Sequence, residues 1–462
     1  MFTPSRHLHL YRPPTPRSPS PRPPSRRALL RGAAGLGVTA ALAACGQGAT
    51  TPRTSGDVTL ALWTHDQNYE KFFTRSIPAA DRLTDFAYRL STTLAGAPDL
   101  VTKLLAQAVA ERGVPDMVGF EMSAFPRMLR GDIAERLLRD FGEDVAKVPG
   151  LKEDLLPART APFSKDGKLY GLDSDTPLVV HYYRRDLFEK YGLPVAADTW
   201  EEFAKFGERA HRKHDVALNA VVTGPDVNQV VQSFQMLFNQ RGGGLFDKDQ
   251  NLTLDSPEAA EALEFICRGL RAGFITPVSD YFGGPMQAAL KQGKVIGVLM
   301  ATWFKIYGLM PNVPEQKGRW GMAAPPRFSA GGHATSTSGG TGFGVLRDKP
   351  NSRAAAEFLH SAYLTHEAQV RRFHELGYLP TRASVYKDKA LLRTTDAYLG
   401  GQRPFDVYTA LLDDAPRVYV SPDQSILNDV LAGCLLSAYR GDLTPRAAIR
   451  KAAADFRDQA GR

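Results

Sequence analysis

In "VTLALWTHD" the apolar side chains Val58, Leu60 and Leu62 alternate with their neighbours, the period of a strand with one face toward a core. Further along, the apolar period lengthens to that of helices, and the starts are marked. Thr199-Trp200-Glu201-Glu202 is a capping box, in which the Thr hydroxyl and the Glu carboxylate satisfy the first free amides of a helix running to about His211. Ser256-Pro257 sets an N-cap before a proline at the first helical position, with a stop near Gly273. Thr444-Pro445 opens a last helix the same way, with Ile449, Ala453 and Phe456 on one face. Strand and helix signals that alternate over this length predict an α/β architecture.

The chain has 462 residues, 43% hydrophobic and 23% charged, long enough for two domains and a sizeable core. Its net charge of +8 invites a nucleic-acid reading. Seven arginines of that excess (Arg6, Arg12, Arg17, Arg22, Arg26, Arg27 and Arg31) lie in residues 1–44, which hold no acid. The remaining 50 basic side chains stand against 49 acidic ones, so the body of the chain lacks the excess that phosphate binding needs, and nucleic acid is excluded as a partner.

Residues 12–27 are rich in Pro, Ser and Arg and bury nothing, and the apolar run "GAAGLGVTAALAA" that follows is too short and too small-sided to span a bilayer. That order is the order of a secretory signal. "SRRALLR" (Ser25 to Arg31) resembles the twin-arginine export signal, and Leu42-Ala43-Ala44-Cys45 resembles a lipobox, in which Cys45 is lipidated and becomes the first residue of the mature chain. The signal then occupies residues 1–44, and residues 45–56 form a flexible tether. Cys267 and Cys434 sit in apolar, helix-like runs and read as buried small hydrophobes; two residues at this separation specify no pairing. With no CxxC, HExxH or close His/Cys cluster, neither a metal nor another cofactor is expected.

"SKDGKLYGLDSDTPLVVHYYRRDLFEKYGLPVAADTWEEF" (Ser164 to Phe203) resembles a characteristic segment of the family 1 extracellular solute-binding proteins. "VPDMVGFEMSAF", "DSPEAAEALEFI", "ALKQGKVIGVLMATW", "RWGMAAPPRF", "GGTGFGVLRDKPNSRAAAEFL" and "LGYLPTR" follow in the family's order, so the resemblance covers essentially the whole mature chain. One departure stands out: from Asp66 to Tyr88 the sequence is unlike the family's usual long helix and clean second strand.

The resemblance implies a type II periplasmic-binding-protein-like clamp of two lobes, each an α/β sandwich, joined by a hinge and closing on ligand. By analogy, lobe one holds residues 57–165 and 327–381 and lobe two holds 166–326 and 382–462, with crossings near Phe163–Lys168, Pro325–Phe328 and Pro380–Arg382. The implied role is that of a lipid-anchored, monomeric binding protein on the outer face of the bacterial membrane. It would capture a mono- or oligosaccharide and deliver it to the transmembrane subunits of an ABC permease. Ligands such as a polyol, a glycerol phosphate or a peptide remain open, and so does a secreted glycoside hydrolase, although no nucleophile elbow or zinc motif supports an enzyme and no catalytic residue is assigned.

A sugar offers an apolar face and a rim of hydroxyls, and calls for flat aromatic rings and two-way hydrogen-bonding groups. Trp63, Phe120, Tyr183, Trp303 and Trp320 are candidates for stacking. His65 and Asp66 follow the first strand at its carboxyl end, where ligands sit in open α/β sheets. Asp66, Glu121, Ser123 and Thr341 are candidates for hydrogen bonding, and His181 is a further polar candidate. The rival reading for a lone Trp or Tyr is core, and for Trp200 packing is the reading adopted. "GGTGFG" runs into Val345 and Leu346 rather than into a Lys-Ser/Thr helix start, so its glycines are read as allowing close backbone approach at Gly340 and Thr341 rather than as a phosphate loop.

Overall fold

The structure, a computed structural model, describes residues 52–461; Cys45, the export segment and the tether as far as residue 51 lie outside the described residues. The last residues of the expected tether are tied down. The Arg53 amide donates to Pro350 O at 2.9 Å, and Gly56 already belongs to the first strand.

Two sheets organise the chain. The first runs Phe86–Leu94, Gly56–Thr64, Met117–Glu121, Thr341–Val345, Leu172–Asp173; the first three strands are parallel, and Thr341–Val345 is antiparallel to both of its neighbours. Val58, Leu60 and Leu62 are buried on one face, packed with Phe72, Phe73, Phe358 and Tyr363, as the alternation predicts. Helices cover the other face as well, where Trp63 and Val118 meet Leu100, Leu104 and Phe125. The departure noted between Asp66 and Tyr88 does not disturb this plan. Asp66 caps a 17-residue helix, Gln67–Leu83, and the strand after it pairs with Gly56–Thr64 along all nine residues.

In the second sheet Val179–Arg184 lies between Gly297–Ala301 and Trp320–Ala323, antiparallel to both, and Asn219–Val222 pairs in parallel with Ile275–Val278 beside it. The Asn219 side chain joins the two pieces by accepting from the Leu299 amide at 2.9 Å. The three capped helices are present as Trp200–His214, Pro257–Ala272 and Pro445–Ala460, each with its cap hydroxyl accepting a first-turn amide. Trp200 is core, its Nε1 donating to Gln240 Oε1 at 3.0 Å. Cys267 and Cys434 are buried and free. No helix among the described residues is long and apolar enough to cross a membrane.

The chain passes between the sheets three times, and the strand register moves two of the expected crossings. Leu172–Asp173 still pairs with Thr341–Val345, so the first passage comes at Ser174–Leu178 rather than at Phe163–Lys168. Arg327 still bridges Thr199 and Phe328 packs in the second core, so the next comes at Thr335–Gly340 rather than at Pro325–Phe328. The third runs through Tyr378–Arg382. These passages lie side by side: Leu178 bridges Thr337, Val179 N donates to Ser336 O at 2.8 Å, and Thr176 N donates to Leu379 O at 3.2 Å. Buried Ser and Thr hydroxyls fill the band; Thr176 donates to Pro380 O at 2.6 Å and Thr335 to Val179 O at 2.7 Å. Small side chains that bond to the neighbouring backbone pair most of the polar groups where three extended strands cross without a sheet, although the buried Thr337 hydroxyl has no partner. The result is a two-lobed α/β clamp with its hinge in this band.

Candidate functional site

A cavity of about 630 Å³ opens between the first-sheet strand ends and the second lobe, lined by His65, Asp66, Tyr69, Glu121, Trp303, Tyr307, Gly339, Gly340, Thr341 and Tyr378, with Gln232, Phe282 and Asp175. A second, about 210 Å³, continues from it past Glu121, Gln232 and Gly339 to Ser123, Asn228, Gln235, Gln424 and Asn428. Together they form one cleft with an aromatic end and an amide end. Of the sequence candidates, His65, Asp66, Glu121, Ser123, Trp303, Gly340 and Thr341 line it.

At the aromatic end Trp303 follows the strand Gly297–Ala301 and packs against both lobes' cores. Its Nε1 donates to Ser338 O at 2.9 Å, which fixes the indole plane, and the half-exposed Phe282 lies 6.3 Å away, tilted by 31°. Tyr307, in the π turn Lys305–Leu309 that follows, reaches back to the first lobe, where its hydroxyl donates to Asp66 Oδ2 at 2.5 Å. Tyr378 donates to the same oxygen at 3.3 Å, and the two tyrosine rings stack with centroids 6.3 Å apart. Asp66 Oδ1 meanwhile caps the helix Gln67–Leu83 by accepting from Asn68 N at 2.8 Å. Asp66 therefore serves as the anchor of an aromatic wall.

Glu121 ends its strand and accepts from Ser123 N at 2.8 Å, and the Ser123 hydroxyl bonds to it too. Burial lowers the pKa of His65, while the carboxylates of Glu121 and Asp66 oppose the shift. The floor is Gly339 and Gly340, with φ of 74° and 112°, backbone that a β-carbon strains. At the amide end Asn228, Gln232 and Gln235 recur at helical spacing on Val227–Gln240. Gln232 donates to Ser338 Oγ at 2.8 Å, Asn428 to Asn228 Oδ1 at 3.1 Å, and Gln424 to Asn428 Oδ1 at 3.1 Å. No Lys or Arg among the described residues lines either part of the cleft. Among the described residues no three His, Cys, Asp or Glu side chains converge as a metal-binding set.

Four stacking candidates belong to the core instead. Helices cover both faces of the first sheet, so alternation cannot free either side. Trp63 is buried under the helix Ala97–Val109 with Lys103 Nζ 4.4 Å over its ring, and Phe120 packs on Phe125 at 5.4 Å. Tyr183 lies across Gly321 and against Phe188 at 5.1 Å. Trp320 is fully buried and its Nε1 donates to Gln316 Oε1 at 3.0 Å. His181 is core too: Nε2 bonds to Leu218 O at 3.1 Å, and burial pushes its pKa down to about 4, so the ring is neutral and donates.

Sequence reasoning missed Tyr69, Tyr307, Tyr378, Phe282, Asp175 and the amide residues. One signal for part of the last group was present: Asn228, Gln232 and Gln235 recur at helical spacing as a polar stripe on one face of a helix whose other face carries Val230, Phe234, Leu237 and Phe238.

Residues 84–396 match the model of the bacterial extracellular solute-binding protein family. The chain is 25% identical over 419 residues to the arabinooligosaccharide-binding protein of Bacillus subtilis strain 168, covering 88% of this chain and 93% of that one. It is 25% identical over 396 residues to the lactose-binding protein of Rhizobium radiobacter, covering 82% and 88%. In fold it resembles the cyclic alpha-maltosyl-1,6-maltose binding protein from Arthrobacter globiformis, with a TM-score of 0.73 at 22% identity, covering 87% of this chain and 99% of that one. The match over most of its length shows that the chain belongs to the bacterial extracellular solute-binding proteins.

Proposed function

We propose that this protein captures a neutral oligosaccharide in the cleft and delivers it, by closing its lobes, to the membrane subunits of an ABC importer. The observation that carries this reading is the composition of the cleft wall. The aromatic faces of Trp303, Phe282 and Tyr307 stand opposite and beside amides, hydroxyls and carboxylates, with no cation among the lining residues. Aromatic faces suit the C–H side of a sugar, and groups that accept as well as donate suit its hydroxyl rim. A glycerol phosphate needs a Lys, an Arg or a nest of amides; the absence of cations from the lining speaks against it. The sugar-binding relatives point the same way, and the cleft's two ends suit a ligand longer than one ring. A ligand that touches both lobes favours the closed form by its differential affinity, and no bond need be made or broken.

A thermal-shift panel of arabinotriose, lactose, maltotriose, glycerol and glycerol 3-phosphate tests the reading. A saccharide at 100 times its dissociation constant stabilises the native state by about 2.7 kcal/mol. Stabilisation by glycerol 3-phosphate alone would refute the carbohydrate assignment.

For the position in the cell, the proposal is export through the twin-arginine signal at Arg26-Arg27 and anchoring by lipid on Cys45, supported by the order of arginines, apolar run and small residues before that cysteine. Cys45→Ala is expected to move the protein from the membrane fraction to the soluble one. Unchanged lipid labelling of that variant would sink the assignment.

A further inference from the structure

Behind the glycine floor lies a buried group of four charges: Arg159 and Arg372, Asp173 and Asp175. Arg159 Nη2 is 2.7 Å from Asp173 Oδ2, and its Nε donates to the backbone carbonyl of Asp175 at 2.9 Å. The Asp175 amide donates to Asp173 Oδ1 at 3.0 Å, and the Ser174 hydroxyl donates to Asp175 Oδ1 at 3.2 Å. Arg372 is wholly buried, 4.6 Å over the ring of Tyr363, and Arg159 Nη1 and all three Arg372 guanidinium nitrogens have no hydrogen-bond partner.

Gly340 is where this group meets the cleft. A β-carbon there would lie 2.4 Å from Arg159 Nη2 and 3.3 Å from Asp175 Oδ1, so only glycine leaves both atoms in place behind the floor. Asp175, alone of the four, lines the cavity, though just 2% of it is exposed.

We propose that Asp175 is a specificity-determining ligand contact: through the gap left by Gly340 its carboxylate accepts hydrogen bonds from sugar hydroxyls, with Arg159 and Arg372 balancing its charge. This rests on the carbohydrate reading and goes beyond it, since it names the acceptor. An ionised carboxylate only accepts hydrogen bonds, so at the floor it takes the hydroxyl donors of a sugar. Burial tends to raise the pKa of the Asp175 carboxyl, and Arg159 and Arg372 oppose that rise.

Asp173 supplies the control, because it belongs to the same charge group but does not line the cleft. Calorimetric titration with arabinotriose, or with lactose or maltotriose should one of those bind wild type more tightly, is expected to show Asp175→Ala weakened at least tenfold. Asp173→Ala should stay within about threefold of wild type, both variants being checked for folding by circular dichroism. Equal losses in the two would make Asp175 a structural residue and overturn the proposal, as would wild-type affinity in Asp175→Ala. If Asp175→Ala does not fold, Asp175→Asn carries the test: a loss supports the carboxylate contact, and wild-type affinity overturns it. If wild type binds no saccharide, the carbohydrate reading itself has failed, a result distinct from a variant that binds as well as wild type.

Discussion

Trp303→Ala is expected to weaken saccharide binding about thirtyfold while the protein stays folded. Buried tryptophans at the centre of a binding surface contribute about 2 kcal/mol or more on truncation, and 2 kcal/mol is about thirtyfold in affinity. Trp303 fits that position, since it is half-buried at the junction of the two cores with its plane fixed by the bond to Ser338. Its loss removes one face of the aromatic end and leaves the amide end intact, so affinity for a single ring should fall more than affinity for a trisaccharide. Trp303→Phe, which keeps a flat face, should recover part of the loss. Calorimetry on the three proteins checks this, and unchanged affinity in Trp303→Ala would remove the indole from the site.

Arg159→Met is expected to destabilise the fold by about 3 kcal/mol at neutral pH, because removing one partner of a buried ion pair leaves the other charge uncompensated. The pair is among the most buried in the structure, with 1% and 3% of the two side chains exposed. Burial already pushes the Asp173 carboxyl up to about 7, with Arg159 opposing the shift. Without Arg159 the folded-state pKa rises further above the unfolded value. A carboxyl raised in this way takes up a proton on folding, so stability is greatest at low pH and is lost as pH rises through the folded pKa. The gap between variant and wild type should therefore be wider at pH 8 than at pH 5 in urea unfolding. A gap below about 1 kcal/mol at pH 8, or one that does not change with pH, contradicts the account.

The parts of this molecule that could be read from its sequence are those fixed by local chemistry. Thr199, Ser256 and Thr444 mark helix starts because a hydroxyl at an N-cap satisfies an amide within its own turn, and all three helices begin there. The alternation of Val58, Leu60 and Leu62 reports a strand for the same local reason. What could not be read was set by packing from a distance. Trp63 and Leu62 point to opposite faces of their strand, and both are buried because helices cover both faces. Nothing within the strand distinguishes a face under helix Ala97–Val109 from a face on a cleft. Tyr307 and Tyr378 come from segments about 70 residues apart and meet each other and Asp66 only in the folded chain, a contact with no local signature. Asp66 was legible as a polar residue at a strand's end, though its role as cap and anchor depends on those partners. The crossings shifted for a similar reason: Leu172–Asp173 is too short to show as a strand until Thr341–Val345 pairs with it.

On the proposed function a neutral oligosaccharide lies across the cleft between the lobes. A crystal structure of the protein with the saccharide that binds it most tightly tests this most directly. One ring is expected against Trp303, hydroxyls within hydrogen-bond distance of Glu121 and Gln232, and a further unit reaching toward Asn228 and Gln424. A saccharide bound outside the cleft, or an anion seated in the cleft in its place, would contradict it.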